Sequence, residues 1–354
     1  MVLAYLGSKW QIIKIGTFEN VVLPTASVVI PFRNEAINLP TLFNLLDHQV
    51  GEGIEIIWVD DHSEDGSFEI VEKLKRNSKG VHKLLKSNRI GKKSAIVLGV
   101  NSAKGEIILT TDADCRPPEN WINHIRQFFH EPEVKLVAGP VMSIYQRGIF
   151  GAFQQIEWAS ILLVTQFGFA VGNSFTCSAA NMAYRKSSFF AVGGYDGNLA
   201  MPSGDDEFLL KKIVEKFGKA SVRYLPKENL LMLTKPSQHL SELVNQRVRW
   251  ASKWHVHQSW SHAIAAVLAF SWQATFLLLI GMAFFRDTGL FALTFLIGMK
   301  FLSEHVFLGR ILNDFKIHVK KTDMFLTSLI HPLFVILVAF GTIAGKYTWK
   351  GRSN

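Results

Sequence analysis

Two aspartates one residue apart, Asp112 and Asp114, stand in the stretch TTDADCRPPEN between a β-branched run and a proline pair. At the end of a strand, an Asp-x-Asp can set one carboxylate on a divalent cation and the other on a hydroxyl or metal-bound water. Hard cations such as Mg²⁺ prefer oxygen and are usually held by one or two carboxylates plus substrate phosphates. Alone, the pair reads more simply as a solvated acidic loop. Other acids supply context: Asp60 and Asp61 in VDDHSEDGS, and Asp205 and Asp206 in MPSGDDEFLL, just after a glycine where a helix is expected to begin. Arg249 and Trp250 close the segment QRVRW. Each has a plain reading too, Asp205 as a helix cap and Arg249 with Trp250 as a membrane-interface anchor.

The elements that must position these groups alternate. SVVIP (27–31) is a short apolar run ended by a proline, the pattern of a buried strand. RNEAINLPTLFNLLDHQ places Leu39, Leu42, Leu45 and Leu46 at helical spacing. The strand IEIIWVDDHS, a helix in SFEIVEKLKR, a second in GKKSAIVLGVNSA and the strand GEIILTTDAD follow. Alternation of this kind predicts an α/β fold, a mostly parallel sheet with helices on both faces. Ligands bind such sheets beyond the carboxyl ends of the strands, where both Asp60/Asp61 and Asp112/Asp114 fall.

With 48% hydrophobic and 19% charged residues, the 354-residue chain is too apolar for an ordinary soluble domain, and its apolarity is concentrated after Ser261. Stretches 263–285, 289–309 and 324–345 are candidate spans, since about 20 apolar residues cross a bilayer. The middle one carries Lys300, Glu304 and His305, and its alternative is a re-entrant or interfacial helix. Lys300 and Glu304, four apart, read as a self-neutralising helical pair. The division expected is 1–25 as a membrane-proximal segment, 26–236 as the catalytic domain, 237–260 as an amphipathic interface helix and 261–354 as a membrane domain of two to three helices. Arg310, Lys316, Lys320 and Lys321 place their loop in the cytoplasm with the globular domain. Three crossings then leave Lys346, Lys350 and Arg352 outside, in conflict with the same rule.

A net charge of +9 has no nucleic-acid motif beside it and fits an enzyme lying against an anionic leaflet of the inner or plasma membrane. Two cysteines, Cys115 and Cys177, leave no disulfide framework. Cys115 reads as a small buried filler. His255 and His257 have no zinc-site spacing. The start, MVLAYLGSKWQIIKIG, is broken by Lys9 and Lys14, unlike a signal peptide. It resembles the segment that follows a membrane span, so a preceding helix is expected.

SVVIPFRNE, VDDHS, GKKSAIVLG, TDAD, ANMAYRKSSFFAVGGYD, GDDEFLLKK and Gln-x-x-Arg-Trp, in this order, resemble the inverting family 2 glycosyltransferases with a GT-A fold over roughly residues 25–255. Gln246-x-x-Arg249-Trp250 before apolar stretches is similar to the membrane-bound branch with cellulose, chitin and hyaluronan synthases and ceramide glucosyltransferases. The resemblance implies roles. Pro31 and Glu35 line the nucleotide pocket, Asp61 with Asp60 accepts from the base or ribose, and Lys92, with Lys93 as its rival, sits near the diphosphate. Asp112 and Asp114 hold Mg²⁺ or Mn²⁺, Asp114 more directly. Asp205 and Gln246 belong to the sugar-nucleotide site, Asp206 is the base, and Arg249 and Trp250 close on diphosphate and acceptor.

Three departures stand out: His62 where the family often has glycine, Val97 where asparagine is frequent, and Asp205 where glutamate is common. The function expected is transfer of sugar from a nucleoside-diphosphate sugar, a UDP-sugar foremost, to a lipid-linked or glycan hydroxyl at the cytoplasmic face. A processive polysaccharide synthase is the alternative, and three spans are few for a polymer channel without an oligomer or a membrane partner. A transport component with a nucleotide-binding domain lacks its Walker-type loop. A nucleic-acid-binding protein rests on charge alone.

Overall fold

The computed structural model describes residues 2–12, 22–174, 176–199, 201, 204–252, 260–283, 287–345, 348–349 and 352–353. His255 and His257 lie outside them. The chain divides into two compact units. An α/β unit is drawn from 8–144 and 161–235, and a helical unit from 1–7, 145–160 and 236–354.

In the α/β unit, strands β1 (Ala26–Phe32), β2 (Ile54–Asp60), β3 (His82–Lys86) and β4 (Ile107–Thr110) are followed by the two-residue β5 (Cys115–Arg116). Later come β6 (Leu136–Ala138), β7 (Val141–Ser143), β8 (Met182–Arg185), β9 (Val222–Tyr224) and β10 (Met232–Thr234). Seven of them form one sheet in the order β3-β2-β1-β4-β8-β6-β9. The pairings from β3 through β4 are parallel, β8 runs antiparallel to both neighbours, and β6 pairs with β9 in parallel. The mixed sheet is thus mostly parallel, as the alternation of elements predicts. A second small sheet has the order β5-β10-β7.

The first strand runs one residue past its proline. Pro31 pairs with Val59 of β2, but β4 pairs only with Ala26–Val29. With no ladder on the β4 side at that level, proline is tolerated inside a central strand.

Helices cover the sheet. They include α2 (Leu39–Asp47), α3 (Ser67–Asn77), α4 (Lys92–Ser102), the short α5 (Trp121–Arg126) and α7 (Lys186–Ala191), and α8 (Asp205–Phe217), all in the α/β unit. Leu39, Leu42, Phe43 and Leu46 form the buried face of α2. The main core gathers Val29, Ile57, Val59, Ile96, Val100, Ile108, Leu209 and Ile213 from strands, α4 and α8. Gly99 lets α4 lie close against β1, since a Cβ there would meet Val29 Cγ1 at 2.4 Å. That close approach fixes the height of the α4 N-terminus over the sheet.

The helical unit holds α1 (Val2–Gly7), the first half of α6 (Ile149–Ala170), α9 (Leu240–Ala251) and the helices Trp260–Ala283, Asp287–Asp314 and Lys321–Ala344. Among the described residues two stretches are long and apolar enough to cross a membrane, Leu290–Asp314 and Lys321–Ala344. The middle candidate is one unbroken helix of 28 residues. Its Lys300 and Glu304 pair with each other, and Ser328 of the Lys321–Ala344 helix donates to Glu304. All three side chains are buried.

Candidate active site

The strand order reverses around β1: β2 and β3 build to one side, then the chain returns to lay β4 on the other. A crevice forms at such a switch point beyond the carboxyl ends of the strands. Asp60 is the last residue of β2, and Asp112 and Asp114 lie just past β4, so both pairs flank the end of β1.

Asp60 and Asp61 are buried. Asp60 Oδ1 accepts from the backbone N–H of Ser63 at 3.0 Å, and Asp61 Oδ1 accepts from that of Gly91 at 2.8 Å. His62 follows them at φ +62°, a left-handed conformation that glycine adopts at least cost. Histidine holds the turn that glycine often makes in the resembling family, and both acids keep their backbone partners. Glu35 is buried as well; its Oε2 accepts from Asn38 Nδ2 at 2.6 Å, bracing the loop into α2.

By holding Gly91, Asp61 anchors the residue that precedes α4, whose first residue is Lys92. Lys92 Nζ reaches Asp112 Oδ1 at 2.7 Å and Asp205 Oδ2 at 2.9 Å. Burial alone lowers an ammonium pKa, but the Asp112 and Asp205 carboxylates outweigh it and raise that of Lys92 above the ordinary lysine range. The adjacent Lys93 turns into the core, donating to Asn198 O at 2.8 Å with its ammonium 4.9 Å from the Phe208 ring centroid. Of the two lysines, Lys92 is the one in the acid cluster.

Asp205 is the first residue of α8, behind Gly204 at φ +86°. Its carboxylate turns to Lys92. Asp206 is held by two backbone donors, Ala179 N–H to Oδ2 at 3.3 Å and Glu207 N–H to Oδ1 at 2.8 Å. Both acids lie in the first turn of α8, where the helix dipole favours negative charge. Asp114 Oδ2 lies 3.5 Å from Thr234 Oγ1, a neighbour with no signal in the sequence. Cys115 is buried, and burial, then Asp114 and Asp112, push its thiol well above the usual range, as expected of inert filler.

The donor set at Asp112 and Asp114 fits a hard divalent cation. Both ligand groups are carboxylates, and an ammonium already lies between Asp112 and Asp205. No group of three or more His, Cys, Asp or Glu arranged for a metal occurs among the described residues. Two carboxylates leave the rest of an ion's coordination to water and substrate oxygens, the mode in which Mg²⁺ is held beside phosphates.

In the helical unit, α9 carries Gln246, Arg249 and Trp250. Gln246 Oε1 accepts from Arg247 Nη1 at 2.5 Å, and Arg249 O accepts from Ser252 Oγ at 3.0 Å. The Trp250 ring meets that of Trp158 edge-on at 5.5 Å.

Residues 27–192 match the model of glycosyl transferase family 2. They are a family 2 glycosyltransferase domain. The chain is 29% identical over 217 residues to the poly-beta-1,6-N-acetyl-D-glucosamine synthase of Staphylococcus aureus, covering 61% of this chain and 50% of that protein. It is 30% identical over 109 residues to the dolichol-phosphate mannosyltransferase of Saccharomyces cerevisiae, covering 30% of this chain and 41% of that one. The chain thus spans half the length, or less, of these curated relatives. In fold, the chain is similar to the mannosyltransferase PcManGT of Pyrobaculum calidifontis, solved in complex with GDP-Man and Mn²⁺. The TM-score is 0.58 at 17% identity, over 96% of this chain and 94% of that one.

Proposed function

We propose that this chain is an inverting, membrane-bound enzyme that transfers a sugar from a nucleoside diphosphate to a lipid-linked hydroxyl at the cytoplasmic face. The observation that carries the reading is the cluster at the switch point, where Lys92 joins Asp112 to Asp205 beside the doubly anchored Asp206.

Asp206 takes the proton of the acceptor hydroxyl. The acceptor oxygen forms a bond to the anomeric carbon from the face opposite the diphosphate. The bond from that carbon to the diphosphate oxygen breaks, and the diphosphate leaves with the electron pair. Two fixed backbone donors keep the Asp206 carboxylate aimed. Lys92 offers its ammonium to the developing negative charge. Asp112 and Asp114 would hold the metal, and Mg²⁺ or Mn²⁺ bound there would supply further neutralisation of the leaving diphosphate. Asp60 and Asp61, at the other side of β1, face the nucleoside. Arg249 and Trp250 serve diphosphate and acceptor, following the Gln-x-x-Arg-Trp pattern.

The two long apolar helices support the membrane assignment, and the similarity to dolichol-phosphate mannosyltransferase supports a lipid-linked acceptor. A second reading, processive synthesis of a polysaccharide, is favoured by the similarity to the Staphylococcus aureus synthase. The test uses the full chain in detergent with Mg²⁺ or Mn²⁺ and a panel of UDP- and GDP-sugars, measuring nucleoside diphosphate release with and without lipid phosphate acceptors. One sugar nucleotide should be consumed, and Asp206→Asn should stop transfer while nucleotide binding persists. Normal turnover by Asp206→Asn would overturn the mechanism, and inertness toward the whole panel would overturn the function.

A further inference from the structure

The Gln-x-x-Arg-Trp pattern leaves its second position unspecified, yet in this chain that position holds Arg247, which touches both ends of the motif. Arg247 Nη1 donates to Gln246 Oε1 at 2.5 Å, and its guanidinium carbon lies 4.4 Å from the Trp250 ring centroid. The same carbon lies 5.1 Å from the ring of Trp158, itself edge-on to Trp250. Residues 246, 247 and 250 fall on one helix face, being three and four apart.

Arg247 is in turn held from outside the motif. Its Nε donates to Glu157 Oε2 at 2.5 Å, and both side chains are buried. Glu157 stands on the first half of α6, which is fixed by packing. One turn earlier, Phe153 forms an apolar cluster with Leu243 of α9 and Phe334 of the Lys321–Ala344 helix. His331 Nε2 of that helix lies 4.0 Å from the other Glu157 oxygen.

Stability is a weak reason for such a pair, because a buried ion pair replaced by apolar residues of similar size is often neutral or stabilising. Orientation is a stronger one. A guanidinium is planar and lies against aromatic faces while its N–H groups reach a carboxylate, which neither lysine nor an apolar side chain does. We infer that Glu157 and Arg247 are positioning residues that set the indole of Trp250. Glu157 fixes the guanidinium, and the guanidinium fixes the ring. The kinetic part of this inference rests on the transfer reading above; the structural part does not.

The test incorporates 5-fluorotryptophan into the full chain in detergent and identifies the Trp250 ¹⁹F resonance by its loss in Trp250→Phe. Glu157→Gln should shift that resonance and lower kcat/KM for the acceptor by about tenfold or more, the scale of a slightly misplaced contact. KM for the sugar nucleotide should stay within about twofold, since less than about 0.4 kcal/mol of its binding is altered. In a Trp250→Phe background the same substitution should cost nothing further. The double variant Glu157→Gln/Arg247→Met separates positioning from folding: it should regain thermal stability without regaining acceptor kinetics. An unmoved resonance, additive losses with Trp250→Phe, or full recovery of transfer in the double variant would each overturn the inference. If the wild-type chain consumes no sugar nucleotide, the transfer reading falls, and the resonance alone decides whether the pair holds Trp250.

Discussion

Lys92 and Arg247 are both held by carboxylates, but the charge around them is balanced differently. Lys92 is shared by two carboxylates, Asp112 and Asp205, and Asp114 and Asp206 stand nearby in sequence. Arg247 meets Glu157 one for one, and Lys300 meets Glu304 likewise. The first centre is open at one edge, with 39% of the Asp112 side chain exposed, against 10% for Glu157. A centre in which carboxylates outnumber the one ammonium, with access to water at Asp112, is built to take up a cation. A centre that is neutral and enclosed has only orientation and stability to offer.

Removing single charges should pull the two apart. Asp206→Asn should lower transfer by about 10²–10⁴-fold, the usual worth of a general base, with nucleotide binding followed by calorimetry unchanged. Arg247→Met leaves Glu157 buried without its partner and should cost about 3–5 kcal/mol of stability, read from denaturant midpoints. Lys92→Met should weigh the other way: transfer falls by about 10²-fold, while stability falls by less than for Arg247→Met because water reaches Asp112, although Asp205 stays buried. Were Lys92→Met as destabilising as Arg247→Met, the contrast between the centres would be gone.

A third buried group carries no charge and shows the same logic through pH. His82 Nδ1 accepts from Trp58 Nε1 at 3.1 Å, which leaves Nε2 to donate to Asp47 Oδ1 at 3.0 Å. Burial lowers its pKa below the usual 6.5 despite the pull of Asp47. The unfolded chain therefore binds the proton first as pH falls, so this contribution is complete above 6.5 and declines below it. Unfolding midpoints on either side of that pH should show the loss, and His82→Gln should flatten it. The smallest effect belongs to His62→Gly, which relieves a left-handed backbone and should change stability by less than about 1 kcal/mol with transfer unaltered.

The acids were readable in the sequence because each closes an apolar strand: Asp60 ends β2, and Asp112 follows β4. Lys92 and Lys93 were not separable. Neighbours on a helix point about 100° apart, and which one meets the acids depends on how Gly99 seats α4 on β1. Thr234 was invisible because β5 and β10 are two and three residues long, too short for any period to show. Glu157 and Arg247 are separated by 90 positions, one on an apolar helix and one on an amphipathic helix, a contact that no local pattern encodes. The apolar stretches gave their helices plainly, and the Lys300–Glu304 spacing gave their pairing.

The trio of Lys300, Glu304 and Ser328 bears on biogenesis. A lone helix carrying a lysine and a glutamate enters a bilayer at a cost, and mutual pairing removes only part of it. Here the remaining hydrogen-bonding capacity of Glu304 is met by Ser328, which is supplied by the next helix in the chain. The two helices thus form a polar seam that is satisfied only when both are present. For the membrane-bound enzyme proposed above, insertion as a hairpin, with the Lys321–Ala344 helix following before the Asp287–Asp314 helix is released to lipid, is the order of events this seam would reward.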